Sequence, residues 1–276
     1  MNRRLFLTVG MLLVADTAQA TWSVIALDRN NGTVVISSAT CVAQGALVRS
    51  FGKDLRDVQA IVVPGKAIAA AQANVDRTRT NQRLIYAELQ KGTAPDRILA
   101  MLKEDPQIAS RQFGIIDMEG RSIGFSGESN LKVSLDRQDR VEGTGILFSI
   151  QGNILRNEEV VTDAVRAFKA ASGELTDRVM AAMEAADAKG GDSRCSCESQ
   201  VNSRVRIEAP CSAKTAHVAY ILEARKSDAS GESFNDGKYS LYLSVTNEDI
   251  TPQEDANPVR TLRLRYDRWK QERPKR

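Results

Sequence analysis

The sequence is poor in the residues on which most hydrolytic and metal-dependent sites depend. Histidine occurs once, at position 217, in a chain of 276 residues. A Ser-His-Asp or Cys-His mechanism would have to run through His217, and its β-prone surroundings favour a strand residue over a catalyst. The sequence also has no H-E-x-x-H motif, no G-x-S-x-G motif and no phosphate-binding glycine loop. We therefore expect neither a metal nor an organic cofactor.

The sequence also lacks a large excess of charge of one sign, and it lacks long apolar runs. The net charge is only +3 at pH 7, and aromatic residues make up 5% of the chain. No basic stripe is interleaved with aromatics, so we expect no nucleic-acid partner. The apolar run 5–15 is too short to span a membrane as a helix. The basic segment 260–276 is expected to pack as a strand or helix with a solvated end, and contact with a membrane or polyanion is the alternative.

The first twenty residues have the order of a secretory signal peptide. Arg3 and Arg4 form a basic head, the apolar run follows, and Ala18-Gln19-Ala20 is a small-x-small cleavage site. This order predicts a signal peptide at 1–20 and a periplasmic or secreted protein that begins at Thr21. We expect one domain over 21–250 and a basic tail over 251–276.

Cleavage after Ala20 would give Thr21 a free α-amine beside its own hydroxyl. One residue would then carry both a nucleophile and a base. The alternative is chance, because many exported proteins begin with a small or polar residue. However, mature termini usually begin with a mobile polar stretch, whereas a strand-like apolar run starts here at once. The pattern therefore predicts that Thr21 is held in a sheet.

A hairpin is predicted directly after this terminus, with Asn31-Gly32 as a two-residue loop. In that register Thr21 faces Val42 and Ser23 faces Thr40. The hydroxyl residues 21, 23, 38 and 40 then share one sheet face. Such a cluster is typical of an active-site floor, and equally of an ordinary sheet edge.

Four cysteines suit an oxidising compartment. We expect Cys211 to pair with Cys195 or Cys197, and Cys41 with the remaining one. The alternative is a metal cluster that includes His217, although the spacing follows no familiar zinc pattern.

Strand pairs and helix pairs alternate along the rest of the chain, which predicts two sheets packed face to face with helices outside. The predicted strands after the hairpin are 58–63, 67–73, 113–117, 122–125, 146–150, 218–224 and 239–245. The predicted helices are 81–90, 94–103, 158–169 and 175–189.

Five short motifs occur in one order along the chain, and their order and spacing indicate a family. They are Thr21-x-Ser23-x-x-Ala26-x-Asp28, Gly32, Gln72-Ala73, Gln151-Gly152-Asn153-x-Leu155 and Gly190-Gly191-Asp192-x-Arg194. Together they resemble the bacterial family known as domain of unknown function 1028, grouped with the N-terminal-nucleophile (Ntn) hydrolases. The resemblance spans roughly residues 21–245 and implies an α+β fold, a four-layer αββα sandwich. The segment 195–211 and His217 depart from the family's usual small apolar residues.

The resemblance also implies a chemistry. Thr21 would attack an amide or related acyl carbon, as a hydrolase acting on C–N bonds, with a small-molecule or peptide amide as substrate. Asn153 and the Gly152 backbone would stabilise the oxyanion, with a simple turn as the alternative for Asn153. Ser23 would line the floor, and an Asp192–Arg194 ion pair would either orient the cleft or cap its loop.

A non-catalytic periplasmic protein that keeps the Ntn scaffold for binding or structure is the alternative to an enzyme, because fold does not fix function. Substrate identity is open on either reading, and so is the choice between a monomer and a homo-oligomer.

Overall fold

The computed structural model describes residues 21–195 and 214–273. In this part of the chain, ten strands form two antiparallel sheets and seven α-helices flank them. The predicted signal peptide, Cys197 and Cys211 lie outside the described residues.

The larger sheet has six strands in the order β10-β9-β2-β1-β8-β7. Strand β1 therefore lies in its interior, with a hydrogen-bonded neighbour on each side. The bounds are β1 Thr21–Asp28, β2 Thr33–Thr40, β7 Leu135–Arg140, β8 Ile146–Asn153, β9 Val218–Ala224 and β10 Leu241–Thr246.

The smaller sheet has four strands in the order β3-β4-β5-β6. Its strands are β3 Ala60–Val63, β4 Ala67–Ala73, β5 Arg111–Asp117 and β6 Ser122–Ser126. The helices are α1 Gln44–Phe51, α2 Leu55–Gln59, α3 Thr80–Lys91, α4 Pro95–Leu102, α5 Glu159–Ala170, α6 Leu175–Ala188 and α7 Pro258–Glu272.

Three apolar clusters divide the molecule into layers. One packs α5, α6 and α7 against the outer face of the larger sheet, and Trp22 and Phe148 belong to it. A second lies between the two sheets and contains Ile25 and Ile68. The third packs α3 and α4 against the outer face of the smaller sheet. The predicted αββα sandwich of two antiparallel sheets is therefore confirmed.

The register predicted for the first hairpin is wrong by two residues. Asp28 pairs with Thr33, so the turn contains four residues, 29–32. The Asp28 carboxylate accepts hydrogen bonds from the Asn30 backbone nitrogen and the Asn31 side chain, which stabilises the wider turn. Because the error is an even number, every side chain stays on its expected face.

Three elements differ from the sequence-based expectation. The segment 58–63 begins inside α2, because Asp54 accepts a hydrogen bond from the Asp57 backbone nitrogen and caps a short helix there. Helix α1 was not predicted. Strand β7 was also missed, because its sequence LDRQDR is largely charged, as an edge strand tolerates.

The basic C-terminal segment forms α7, which begins after the capping residue Asn257 and packs against the larger sheet through Leu262 and Tyr266. Its cations pair with acids of the body and of the segment that precedes the helix. Arg265 meets Glu254 at 2.8 Å and other basic residues pair likewise: Arg263 with Glu184, Lys270 with Asp177 and Arg273 with Glu174. Much of the tail's charge is thus neutralised within the molecule.

None of the described helices combines the length and apolar character needed to cross a bilayer.

Candidate functional site

Thr21 is the first residue of β1, at the point where three strands end together. It pairs with Thr40 of β2 on one side and with Asn153 of β8 on the other. Its backbone nitrogen donates to Asn153 Oδ1 at 3.0 Å. The residue is only 3% exposed. Within residues 21–195 and 214–273, no group forms a hydrogen bond with the Thr21 hydroxyl.

The backbone is strained immediately after Asn153. Ile154 has φ +52°, a left-handed conformation that is rare for a β-branched residue. It is held there from both sides, because its nitrogen donates to the Leu131 carbonyl and its carbonyl accepts from the Ser193 nitrogen. Strain of this kind costs about 1–3 kcal/mol and clusters at functional sites. The surrounding loops therefore fix the direction in which Asn153 leaves the sheet.

Four buried glutamines, 59, 72, 112 and 151, lie between the sheets behind Thr21; we call them the glutamine network. Gln72 is its centre. Its Nε2 donates to the Thr21 carbonyl at 3.2 Å and to Gln112 Oε1 at 2.7 Å. Its Oε1 accepts from the Ser23 hydroxyl at 2.7 Å and from Gln59 Nε2 at 2.5 Å.

The network continues to both ends of the site. Gln151 Nε2 donates to the Ser23 hydroxyl at 2.6 Å, and Gln112 Nε2 donates to the Gly152 carbonyl at 2.9 Å. Tyr220 donates its hydroxyl to Gln59 at 3.2 Å. Burial in this layer raises the pKa of Tyr220 well above its usual range. The floor behind Thr21 is thus polar and hydrogen-bonded, and it is built from uncharged side chains.

The Asp192–Arg194 pair lies beside the adjoining end of β2. The Asp192 carboxylate is fully buried and accepts from the Cys41 backbone nitrogen at 2.8 Å. Arg194 meets the same carboxylate at 2.7 Å. The preceding Gly191 lies so close to Trp22 that a Cβ there would be 2.6 Å from the indole ring. The structure therefore brings both residues to the strand ends around Thr21.

A disulfide joins Cys41 to Cys195 and secures this loop to β2. It is one of the two pairings that the sequence leaves open for Cys41. Among the described residues, no group of three or more His, Cys, Asp or Glu side chains is arranged to hold a metal ion.

His217 lies immediately before β9 rather than within it. Its backbone nitrogen donates to the Thr40 carbonyl at 2.7 Å, so it borders the residue that pairs with Thr21. Its Nδ1 is buried and has no hydrogen-bond partner among the described residues. Burial and the nearby charge of Lys214 lower the pKa of His217. The His217 imidazole, at the rim of the site, is therefore neutral at pH 7.

Sequence reasoning found the hydroxyl residues Thr21 and Ser23 and the motif residues Gly152 and Asn153, but it assigned no role to the glutamine network. A signal was present in two strands, because Gln72 and Gln112 each interrupt an apolar run, AIAAAQA and RQFGIID. A polar side chain inside a buried strand needs a partner. Here Gln72 and Gln112 pair with each other on adjacent strands. Ser23 and Gly152 on the facing sheet supply further partners.

A family model described as a family of unknown function (DUF1028) matches residues 21–205, which is more than half of the chain. The chain belongs to the DUF1028 family. The crystal structure of protein SPO2555 from Silicibacter pomeroyi, assigned to the same family model, is similar with a TM-score of 0.62. The two chains are 18% identical over 90% of this chain and 88% of the other, so that likeness shows the fold alone. No protein of curated function matches the chain.

Proposed function

We propose that this DUF1028 member is an exported Ntn-type hydrolase that cleaves an amide or related acyl bond, with Thr21 as its N-terminal nucleophile. The observation that carries the proposal is the hydrogen bond from the Thr21 nitrogen to Asn153 Oδ1, beside a threonine hydroxyl that has no hydrogen-bond partner among the described residues. The family match also begins at Thr21 itself.

The reaction starts with proton transfer within one residue. Once residues 1–20 are removed, the Thr21 nitrogen is an α-amine. In its neutral form this amine carries a lone pair that can act as the base. Asn153 Oδ1 accepts one N–H of the amine and thereby sets its orientation. The hydroxyl gives its proton to the amine, directly or through a water, while Oγ1 bonds to the carbonyl carbon of the substrate.

The negative charge that develops on the substrate oxygen needs donors already in place. Because Asn153 Oδ1 faces the Thr21 nitrogen, its Nδ2 remains as a donor, and it forms no hydrogen bond to the described residues. Gly152 pairs with Trp22 and Leu135 on its two sides, so its backbone lies within the sheet and positions Asn153.

Collapse of the intermediate breaks the C–N bond. The amine leaving group takes the proton held by the Thr21 α-amine, and the acyl group stays on Oγ1 as an ester. A water then adds to the ester carbonyl and releases the acid, which restores the hydroxyl. Ser23 supports the floor because its hydroxyl is committed to Gln72 and Gln151. Asp192 and Arg194 orient the end of β2.

Export belongs to the same proposal, since the free amine exists only after the predicted signal peptide is cut. The Cys41–Cys195 disulfide is compatible with an oxidising compartment such as the periplasm.

The alternative function is a non-catalytic binding or structural protein on the same scaffold. The observation that favours it is the low exposure of Thr21, 3%, which leaves little room for a substrate in the described conformation.

A screen of amide, peptide and lactam substrates separates the two functions. Purified exported protein is compared with Thr21→Ala prepared in the same way. The hydrolase proposal expects turnover by the wild type that is lost in Thr21→Ala. Turnover at equal rates in both proteins would contradict the assignment of the nucleophile.

A further inference from the structure

A cleft of about 400 Å³ opens between α3, the end of α4 and the start of β5. Leu84, Met101 and Pro106 form an apolar wall, and Asp76, Asp105 and Arg111 form a polar floor. This volume lies within the range of small-molecule sites, which combine apolar walls with a few convergent polar groups.

The cleft is separate from the candidate active site. Leu84 packs on the apolar cluster that joins α3 and α4 to the outer face of the smaller sheet. Thr21 meets the inner face of the same sheet through Gln72. The four-stranded sheet therefore lies between the cleft and Thr21.

The cleft carries an excess of negative charge. Asp76, Glu104 and Asp105 line it, against the single cation Arg111. That cation is already engaged, because it donates to Asp105 at 2.8 Å and to the Asn74 carbonyl. A cationic group entering the cleft would find carboxylates whose charge Arg111 only partly balances.

The two floor carboxylates are ionised at neutral pH. Burial alone would raise the pKa of Asp76, but hydrogen bonds from Thr78 and Asn81 outweigh it and lower the pKa below its usual value. The pKa of Asp105 is lowered against burial in the same way, by hydrogen bonds from Arg111 and Asn81.

A buried acceptor that no described residue satisfies adjoins this floor. A small cavity of about 10 Å³ shares Asp76, Asn81 and Arg111 with the cleft, and Gln82 lines it. Gln82 is 1% exposed; its Nε2 donates to the Val58 carbonyl, while its Oε1 accepts from no donor within residues 21–195 and 214–273. An unsatisfied buried group of this kind costs about 1–3 kcal/mol. The small cavity beside the cleft thus has an acceptor that a hydrogen-bond donor could satisfy.

We propose that this cleft is a binding site for an organic ammonium ligand, a protonated amine carried on a short hydrocarbon. The ammonium group lies over Asp76 and Asp105, in a lining that has three carboxylates and one guanidinium. The hydrocarbon packs on Leu84, Met101 and Pro106. This binding function goes beyond the proposed hydrolysis and does not depend on Thr21.

The test compares three ligands of one shape on the exported protein by titration calorimetry: n-hexylamine, 1-hexanol and hexanoate. We expect the protonated amine to bind at least tenfold more tightly than the alcohol, and hexanoate to bind more weakly than either. The NMR signals of the Leu84 and Met101 methyl groups should shift on addition of the amine. Equal affinity for amine and alcohol, absence of amine binding, or binding that leaves both methyl signals unmoved would overturn the proposal.

A matched pair of variants locates the site. Met101→Arg places a cation at an exposed position of the apolar wall, 41% exposed, and should weaken amine binding at least tenfold. Val48→Arg changes a similarly exposed apolar residue on α1, 46% exposed, and should leave binding unchanged. Glu104→Gln removes one exposed carboxylate and should weaken binding several-fold. Equal effects of the two arginine variants would contradict a site in this cleft.

Discussion

The backbone nitrogen of Thr21 and the side-chain oxygen of Asn153 are joined by a hydrogen bond of 3.0 Å, although 132 residues separate them in sequence. The bond connects the first residue of β1 to the last residue of β8. One amide side chain therefore holds the Thr21 nitrogen with its oxygen, while its own nitrogen forms no hydrogen bond to the described residues. The proposed mechanism rests on this relationship.

Substitution of Thr21 should separate catalysis from stability. Thr21→Ala removes one hydroxyl and one methyl at a strand end and should lower the free energy of unfolding by only about 1 kcal/mol. Hydrolysis should be abolished. Thr21→Ser should keep partial activity, because the hydroxyl and amine remain while the methyl that restricts χ1 is lost. His217→Ala is the control and should be nearly silent. Steady-state rates and denaturant unfolding measure both effects.

Substitution of Asn153 should reduce the rate without replacing the nucleophile. Asn153→Ala removes the acceptor of the Thr21 nitrogen and the proposed oxyanion donor, so kcat should fall about 100-fold or more. Asn235→Ala is a matched control. Asn235 is also buried, and it donates to the carbonyls of Arg56 and Ala60 rather than to the site. The control should lose stability and keep its kcat; an Asn153→Ala rate within a few-fold of wild type would remove Asn153 from the mechanism.

The layers and the sheet face of each side chain were predicted from the sequence more accurately than the turn length and the contacts between distant residues. Alternation along 21–27 was enough to put Thr21 and Ser23 on one face. The register depended on the Asp28 side chain, which local turn preferences did not reveal. The cross-sheet partners of the glutamine network could not be predicted, because Gln72 meets Ser23 only after the two sheets have packed. The partner of Cys41 likewise depends on the course of the 190–195 loop.

The ion pair between Glu254 and Arg265 should make the docking of α7 sensitive to acid. The hydrogen bond from Arg265, helped by the Thr251 backbone, lowers the pKa of Glu254 from 4.5 to about 2. The folded pKa lies below the unfolded one, so the stabilisation is complete above about pH 4.5 and is lost as the pH falls towards 2. Glu254→Gln should therefore lower Tm at neutral pH, and its difference from wild type should shrink below about pH 4.5. Glu272→Gln, at an exposed position of the same helix, is the control and should shift Tm little at any pH.

Reduction of the disulfide should destabilise the protein. Cys41 and Cys195 are 154 residues apart, and closing so long a loop is worth roughly 2–4 kcal/mol. Thiol titration of denatured, unreduced protein should find close to zero free thiols, and peptide mapping should recover a peptide that links Cys41 to Cys195. Cys41→Ser should lower the denaturation midpoint by an amount similar to that caused by reduction. Four reactive thiols would instead favour the metal-binding alternative.

The most direct measurement of the central claim is tandem mass spectrometry of the N-terminal peptide of the exported protein, before and after reaction with a β-lactone that acylates N-terminal nucleophiles. The account predicts a peptide that begins at Thr21 and gains one acyl group on that residue. The Thr21→Ala protein should begin at the same position and gain none. A peptide that retains any residue before Thr21, or an adduct carried elsewhere with Thr21 unmodified, would contradict the account.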